Sequence, residues 1–337
     1  MNRMIKALSV LGLCSVAVAI HSSAGAQVPS SPAWAYGFPP ADSPGAPRAT
    51  SPAAPAVPAP PDPTPKQIPG ATKTLTMAQI RDYWNVGDWF PDEHPPMPAV
   101  VVHGRQPHVR GCAMCHMPNG KGRPENAPLA GLNAGYFVQQ LLDFKHGLRT
   151  SADPRKANTA LMIEAAKEMT DDEMKESASY FASMTWTPWI TVRETAAVPR
   201  TRLTGNVFFR LPGGETEPIG NRIIESPEDA DRFELRDPHS GFIAFVPPGS
   251  VQKGGVLVAS GGGKTMPCGV CHGLDLQGLG PVPGIAGRSP SYLMRQLWDM
   301  QQGTRKGEWS PLMKPVVERL TQDDMLSIAA YVAAQGR

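Results

Sequence analysis

Charge is scarce in this chain, and its two signs cancel. Asp, Glu, Lys and Arg make up 18% of the 337 residues, against about a quarter in ordinary globular proteins. The formal charge of +2 rests on Arg3 and Lys6, in a stretch to residue 26 without any acid; the rest holds 30 basic and 30 acidic residues. A neutral chain of this kind gives no reason to expect nucleic acid as a partner. Long apolar runs are missing after the first twenty residues, so no later stretch is fit to cross a membrane. Cysteine is rare as well, with five in all.

Residues 1–26 read as an export signal. Arg3 and Lys6 form its basic start, Ala7 to Ile20 its apolar run, and Ala24-Gly25-Ala26 a small-residue cleavage site. An uncleaved anchor is the alternative, although the run is shorter than the roughly 20 residues of a span. The expected location is the periplasm. Residues 27–71 are dominated by Pro, Ala and Ser, which build little core, and a disordered or extended tether is expected there. Thr72 to Phe90 looks weakly helical, with Trp84 and Trp89 available for packing.

An internal repeat organises the remainder. Sliding the sequence by 156 positions lays Cys112 on Cys268, Ala130-Gly131 on Ala286-Gly287, Tyr136 on Tyr292, Gln140 on Gln296 and Arg149 on Arg305. The second copy is then five residues shorter, after which Leu161-Met162 meets Leu312-Met313, Thr170 meets Thr321 and Tyr180 meets Tyr331. Both copies read as mostly helical. Phe137, Leu141 and Phe144 recur at helical spacing, as do Leu293, Leu297 and Met300. Thr170-Asp-Asp-Glu173 and Thr321-Gln-Asp-Asp324 open the last helices as capping patterns. We place two domains at 72–189 and 246–337. The insert between them, 190–245, carries β-like runs such as "NVFF" and "GFIAFV" and should be irregular with a few short strands.

Cys14 falls in the signal, and the other four cysteines form two close pairs. Each pair is followed directly by histidine: Cys112-Ala-Met-Cys115-His116 and Cys268-Gly-Val-Cys271-His272. This is the c-type haem attachment signature. Two thiols at this spacing form thioethers to the vinyl groups of one haem, and the adjacent histidine is held under the iron. A redox thiol pair needs no histidine. A shared zinc site would bring the pairs to within about 15–20 residues of each other.

A second axial ligand is sought among the methionines, whose soft thioether favours reduced iron. Two downstream pairs match in the repeat, Met162 with Met313 and Met174 with Met325. The latter pair sits inside the last helix, where methionine commonly fills core, so Met162 and Met313 are the choice. A carbonyl near Pro283 is placed to accept from the His272 ring; the first copy carries its proline one position later, suggesting a slightly different carbonyl for His116. Arg149 and Arg305 meet haem propionates or end as solvated helix termini. His94, His103, His108, His146 and His239 have no repeat partner and read as surface residues.

The two haem motifs, with "PGIAGRSPSYLMRQLWDMQQGTR" and "LMKPVVERLTQDDMLSIAAYVA", resemble the class I cytochromes c, and most closely the two-domain, di-haem cytochrome c-four family. The resemblance implies mostly α structure, two tandem haem domains and two covalent haem c groups. It implies Cys112, Cys115, Cys268 and Cys271 as attachment sites, and His116, Met162, His272 and Met313 as iron ligands. The insert replaces a short linker and puts close packing of the two haems in doubt.

The expected function is passage of single electrons between redox partner proteins, membrane-bound respiratory complexes among them, without catalysis. The alternatives are a haem subunit of a membrane dehydrogenase or terminal oxidase, and a di-haem peroxidase, which needs an open iron site.

Overall fold

The computed structural model describes residues 31–39 and 62–336. The expected export signal lies outside these, as does most of the expected tether.

Both copies share one helical frame. The first runs through the haem-motif helix Cys112–His116, the middle helix Ala134–Lys145, a helix at Ala157–Glu168 and the last helix Asp171–Ala182. The second runs through Gly269–His272, the middle helix Pro290–Gln301 and the last helix Gln322–Ala333. The last helices begin with completed capping boxes, Thr170 with Glu173 and Thr321 with Asp324. Their buried faces repeat at i, i+4, i+7: Met174, Ala178 and Phe181, then Met325, Ala329 and Val332.

The copies differ where proline intervenes. Ser250–Ser260 forms a full helix ahead of the second haem motif, whereas the first copy has only Ala99–Val102, behind Pro95, Pro96 and Pro98. The longer helix crosses the last helix at Gly254, where a Cβ would run into the Ser327 carbonyl oxygen. In the other direction, Pro311 and Pro315 reduce the counterpart of Ala157–Glu168 to the single turn Lys314–Val317. Between Thr72 and Phe90 only Met77–Ile80 is helical. The Asp82 carboxylate accepts from the backbone of Trp84 and Asn85, a local turn that competes with the helix.

The insert carries a three-stranded sheet. Phe242–Val246 is its centre, parallel to Ile190–Glu194 and antiparallel to Ile224–Pro227. Thr201–Thr204 and Val207–Arg210 form a hairpin whose two turn residues, Gly205 and Asn206, both have positive φ, as its tight turn requires. The sheet merges with the second copy: Ile190, Phe242, Ala244 and Val246 share one core with Met294, Trp298 and Met325.

Two expectations are corrected. Part of the supposed tether is docked. Ala33–Tyr36 forms a buried turn in that same core, with the Tyr36 hydroxyl donating to Asp299 at 2.6 Å and Ala35 O accepting from Arg295 at 2.6 Å. Ile68 and Ala71 are buried as well. Two aromatic rings, Trp34 and Tyr36, suffice to anchor a segment whose average composition lacks core residues. The insert, moreover, does not hold the copies apart. Thr150 N–H donates to Thr304 O and Lys306 N–H to Leu148 O, both at 2.8 Å. These bonds exchange under the repeat, so the copies meet about a local pseudo-twofold axis while the insert packs alongside.

Candidate functional site

Helical geometry assembles each haem motif. The cysteines stand three positions apart and the histidine one further on, so all three fall on one side of a single turn. The His116 ring is buried, and its Nδ1 lies 2.8 Å from Ala127 O. His272 Nδ1 lies 2.8 Å from Pro283 O. Each carbonyl stands eleven positions past its histidine, so the two sites use the same repeat position and the displaced proline of the first copy changes nothing. A backbone carbonyl obliges Nδ1 to carry the hydrogen, which leaves the Nε2 lone pair for a metal. Burial pushes His116 down to about 4 and also lowers His272, keeping both rings neutral and able to ligate. Burial likewise raises the Cys112 and Cys268 thiols, to about 12 and about 11. None of the four cysteines is in a disulfide.

A cavity opens beside the first motif. Cys112, Cys115, His116 and Met162 line it together, with Phe137 and Leu141 as apolar walls. Met174 is 1% exposed and Met325 fully buried, each inside a packed core. Met169 lines the cavity too. Met313 is half-buried and packs on the same core as Cys268.

Part of the lining of this cavity is polar, and the second copy contributes to it. Tyr292, Arg295, Gln296 and Asp299 reach in beside Arg149 and Lys156. Neither arginine of the repeat is a solvated helix end. Arg149 donates to Gln140, Tyr292 and Gln296 at 2.9–3.2 Å, and Arg305 to Gln296, Tyr136 and Gln140 at 2.8–3.1 Å. None of these partners is anionic. Arg305 Nε and Lys156 Nζ are buried without a hydrogen-bond partner among the described residues. Buried cations without an anionic hydrogen-bond partner call for an anion, and the carboxylates of a haem supply one. The thiols, the neutral imidazole and this cationic lining therefore fit a covalently held haem.

The insert closes on the first motif. Arg236 donates to the carbonyls of Ala113 and Met114, and lies 3.6 Å from the Met117 sulfur. Arg123 stacks on Phe233 at 3.3 Å. Nothing in the sequence marks Arg236, because its partners are backbone oxygens over a hundred residues away. Tyr36, Arg295 and Asp299 were equally silent. His94, expected at the surface, has its side chain buried, 3.2 Å from Asp88 and 3.0 Å from the Tyr180 hydroxyl. No cluster of three or more His, Cys, Asp or Glu suited to a bare metal ion exists among the described residues, and no described helix is long and apolar enough to cross a membrane.

Residues 101–185 match the family model for cytochrome c. Cytochrome c4 of Pseudomonas aeruginosa is 36% identical over 226 residues, 66% of this chain and 82% of that protein. Cytochrome c-554(548) of Halomonas halodenitrificans is 40% identical over 78 residues, 23% of this chain and 94% of its own length. The thiosulfate dehydrogenase electron acceptor of Stutzerimonas stutzeri is 26% identical over 237 residues, 69% of this chain and 83% of its own.

Proposed function

Because the chain belongs to the cytochrome c4 family of di-haem electron-transfer cytochromes, we propose that it is a periplasmic carrier relaying single electrons between protein partners through two haem domains, 72–189 and 246–337, bridged by the insert 190–245. Two haem c groups are bound covalently, and the protein is not an enzyme. Haem supplies reversible one-electron chemistry at its iron.

The residues have separate tasks in this reading. Cys112 and Cys115, and Cys268 and Cys271, anchor the two groups. His116 and His272 ligate through Nε2 while Ala127 O and Pro283 O hold their rings. Met162 and Met313 would supply the second protein ligand to each iron and would close both sites to outside molecules. Arg149 and Arg305 hold the propionates at the junction of the copies. Their backbone bridge between the copies is the observation that carries the reading, and it is supported by the residues of both copies that line the cavity beside the first haem motif.

Mass measurement on denatured protein should find two haem increments, and a redox titration should resolve two one-electron steps. A single increment, or turnover of peroxide by the purified protein, would overturn the proposal. The similarity to a thiosulfate dehydrogenase electron acceptor favours one class of donor in particular, a sulfur-oxidising dehydrogenase. Rapid reduction of this protein by thiosulfate plus such an enzyme, compared with a quinol-oxidising membrane fraction, separates that donor from respiratory complexes.

A further inference from the structure

The two copies differ most pointedly between the conserved-register arginine and the proposed methionine ligand. The first copy spends residues 150–161 there and the second only 306–312. Lys156 lies within the longer stretch. It precedes the helix Ala157–Glu168, and its side chain lines the first cavity with His116 and Met162. Lys156 is 4% exposed, and its Nζ has no hydrogen-bond partner among the described residues. The lysine of the shorter segment, Lys306, is exposed. A lone ammonium sealed in a cavity is expensive unless an anion meets it.

We propose that Lys156 is a positioning residue for a propionate of the first haem, and that its ammonium couples uptake of one proton to reduction at that haem and not at the second. This rests on the haem reading above and deepens it.

The charges around Lys156 come from every neighbouring element. Arg295 faces it from the middle helix of the second copy and raises the cost of a second cation. Glu125 faces it from the loop after the first haem motif, with one carboxylate oxygen unpartnered. Asp153 faces it from the preceding turn but is committed to Arg155 at 2.6 Å. Asp299 lines the same cavity and is held by Tyr36. Burial foremost, then Arg295, brings Lys156 down to about 7, and a propionate acts in the opposite direction. Its protonation is therefore sensitive to one unit of charge nearby.

The exchange balances simply. One electron arrives from a one-electron donor protein, and a proton from water converts the Nζ amine to ammonium. Oxidation reverses both, and no other bond is made or broken. The ammonium disfavours the extra positive charge of the oxidised site, so the first haem has the higher potential while Lys156 is charged.

Spectroelectrochemical titration of the holo-protein from about pH 5 to about pH 10 spans the titration of such a lysine. One of the two potentials should fall with rising pH, by at most about 59 mV per pH unit, the value for one proton per electron; the other should stay level. Lys156→Met should lower the sloping potential at low pH and flatten it. Lys156→Arg, always charged, should keep it high and flatten it. The level potential should not move in either variant. A slope that survives in Lys156→Arg overturns the inference even if Lys156→Met fails to mature. So do two level potentials, or two equal slopes, in the unmodified protein. The haem reading is tested apart from this, by mass: fewer than two covalent haems sinks both, whereas two haems with the wrong pH response sinks only the role of Lys156.

Discussion

Arg149 and Arg305 stand opposite each other in an isolated antiparallel bridge between the two copies, and each guanidinium donates to a glutamine of both copies and to the tyrosine of the other. Arg149 uses Gln140, Gln296 and Tyr292; Arg305 uses Gln296, Gln140 and Tyr136. The pairing is reciprocal because all three residue types recur at one offset in the repeat.

Losing either arginine should loosen the junction. Arg149→Leu and Arg305→Leu are each expected to cost about 1–3 kcal/mol, the usual loss when buried hydrogen-bonding groups are left unpaired. The double variant should cost less than the sum, since both draw on the same glutamines. Urea unfolding of the three variants measures this, and strict additivity would show that the arginines act independently.

Met162 and Met313 should differ from Met174 in kind. Met162→Ala should admit carbon monoxide at the first haem and lower its potential, and Met313→Ala should do the same at the second, because the soft ligand is gone. Met174→Ala should cost about 2–5 kcal/mol of stability by opening a core cavity and leave both spectra as they are. Carbon monoxide binding and thermal melts on the three proteins distinguish these outcomes. Loss of ligation in Met174→Ala would refute the assignment.

The docked Ala33–Tyr36 turn should stabilise without being needed for haem attachment. Tyr36→Phe removes the donor to a buried Asp299 and is expected to cost about 1–3 kcal/mol. Deleting residues 27–39 should lower the melting temperature further while two covalent haems remain. A deletion that melts like the intact chain would mean that this turn is not docked in solution.

Glu225 should make stability depend on pH. It is fully enclosed, with Ser289 Oγ and Ser291 N–H donating to one oxygen and the other oxygen unpartnered. Burial raises it from 4.5 to about 7. The unfolded chain therefore releases this proton first. Stability contributed by the protonated acid is complete below about 4.5 and declines as pH rises to about 7, by a few kcal/mol at most. Glu225→Gln cannot ionise, so its stability should stay level over that window. Melting temperatures taken across the window compare the two, and parallel profiles would remove Glu225 as the source.

What the sequence determined by itself was set by short, fixed spacings. Cys-x-x-Cys-His needs one helical turn, each capping box needs three residues, and two copies in register reinforce one another, so haem attachment, helix starts and the repeat were legible without coordinates. Position relative to a cap sets Met162 and Met313 apart from Met174 and Met325 in the sequence, and their ligation of iron is a proposal. The tertiary structure alone decided the rest, because it depends on close approach of segments far apart in the chain. The turn at Ala33–Tyr36 looked unstructured by composition, yet two aromatic rings meet a core built by residues between Ile190 and Val332. Arg149 and Arg305 had two open readings until the opposite copy supplied their partners. Arg236 binds backbone oxygens, which carry no residue signature. Lys156 carried no signal in the sequence, and folding turned its side chain inward, where burial gives a single ammonium its chemical consequence.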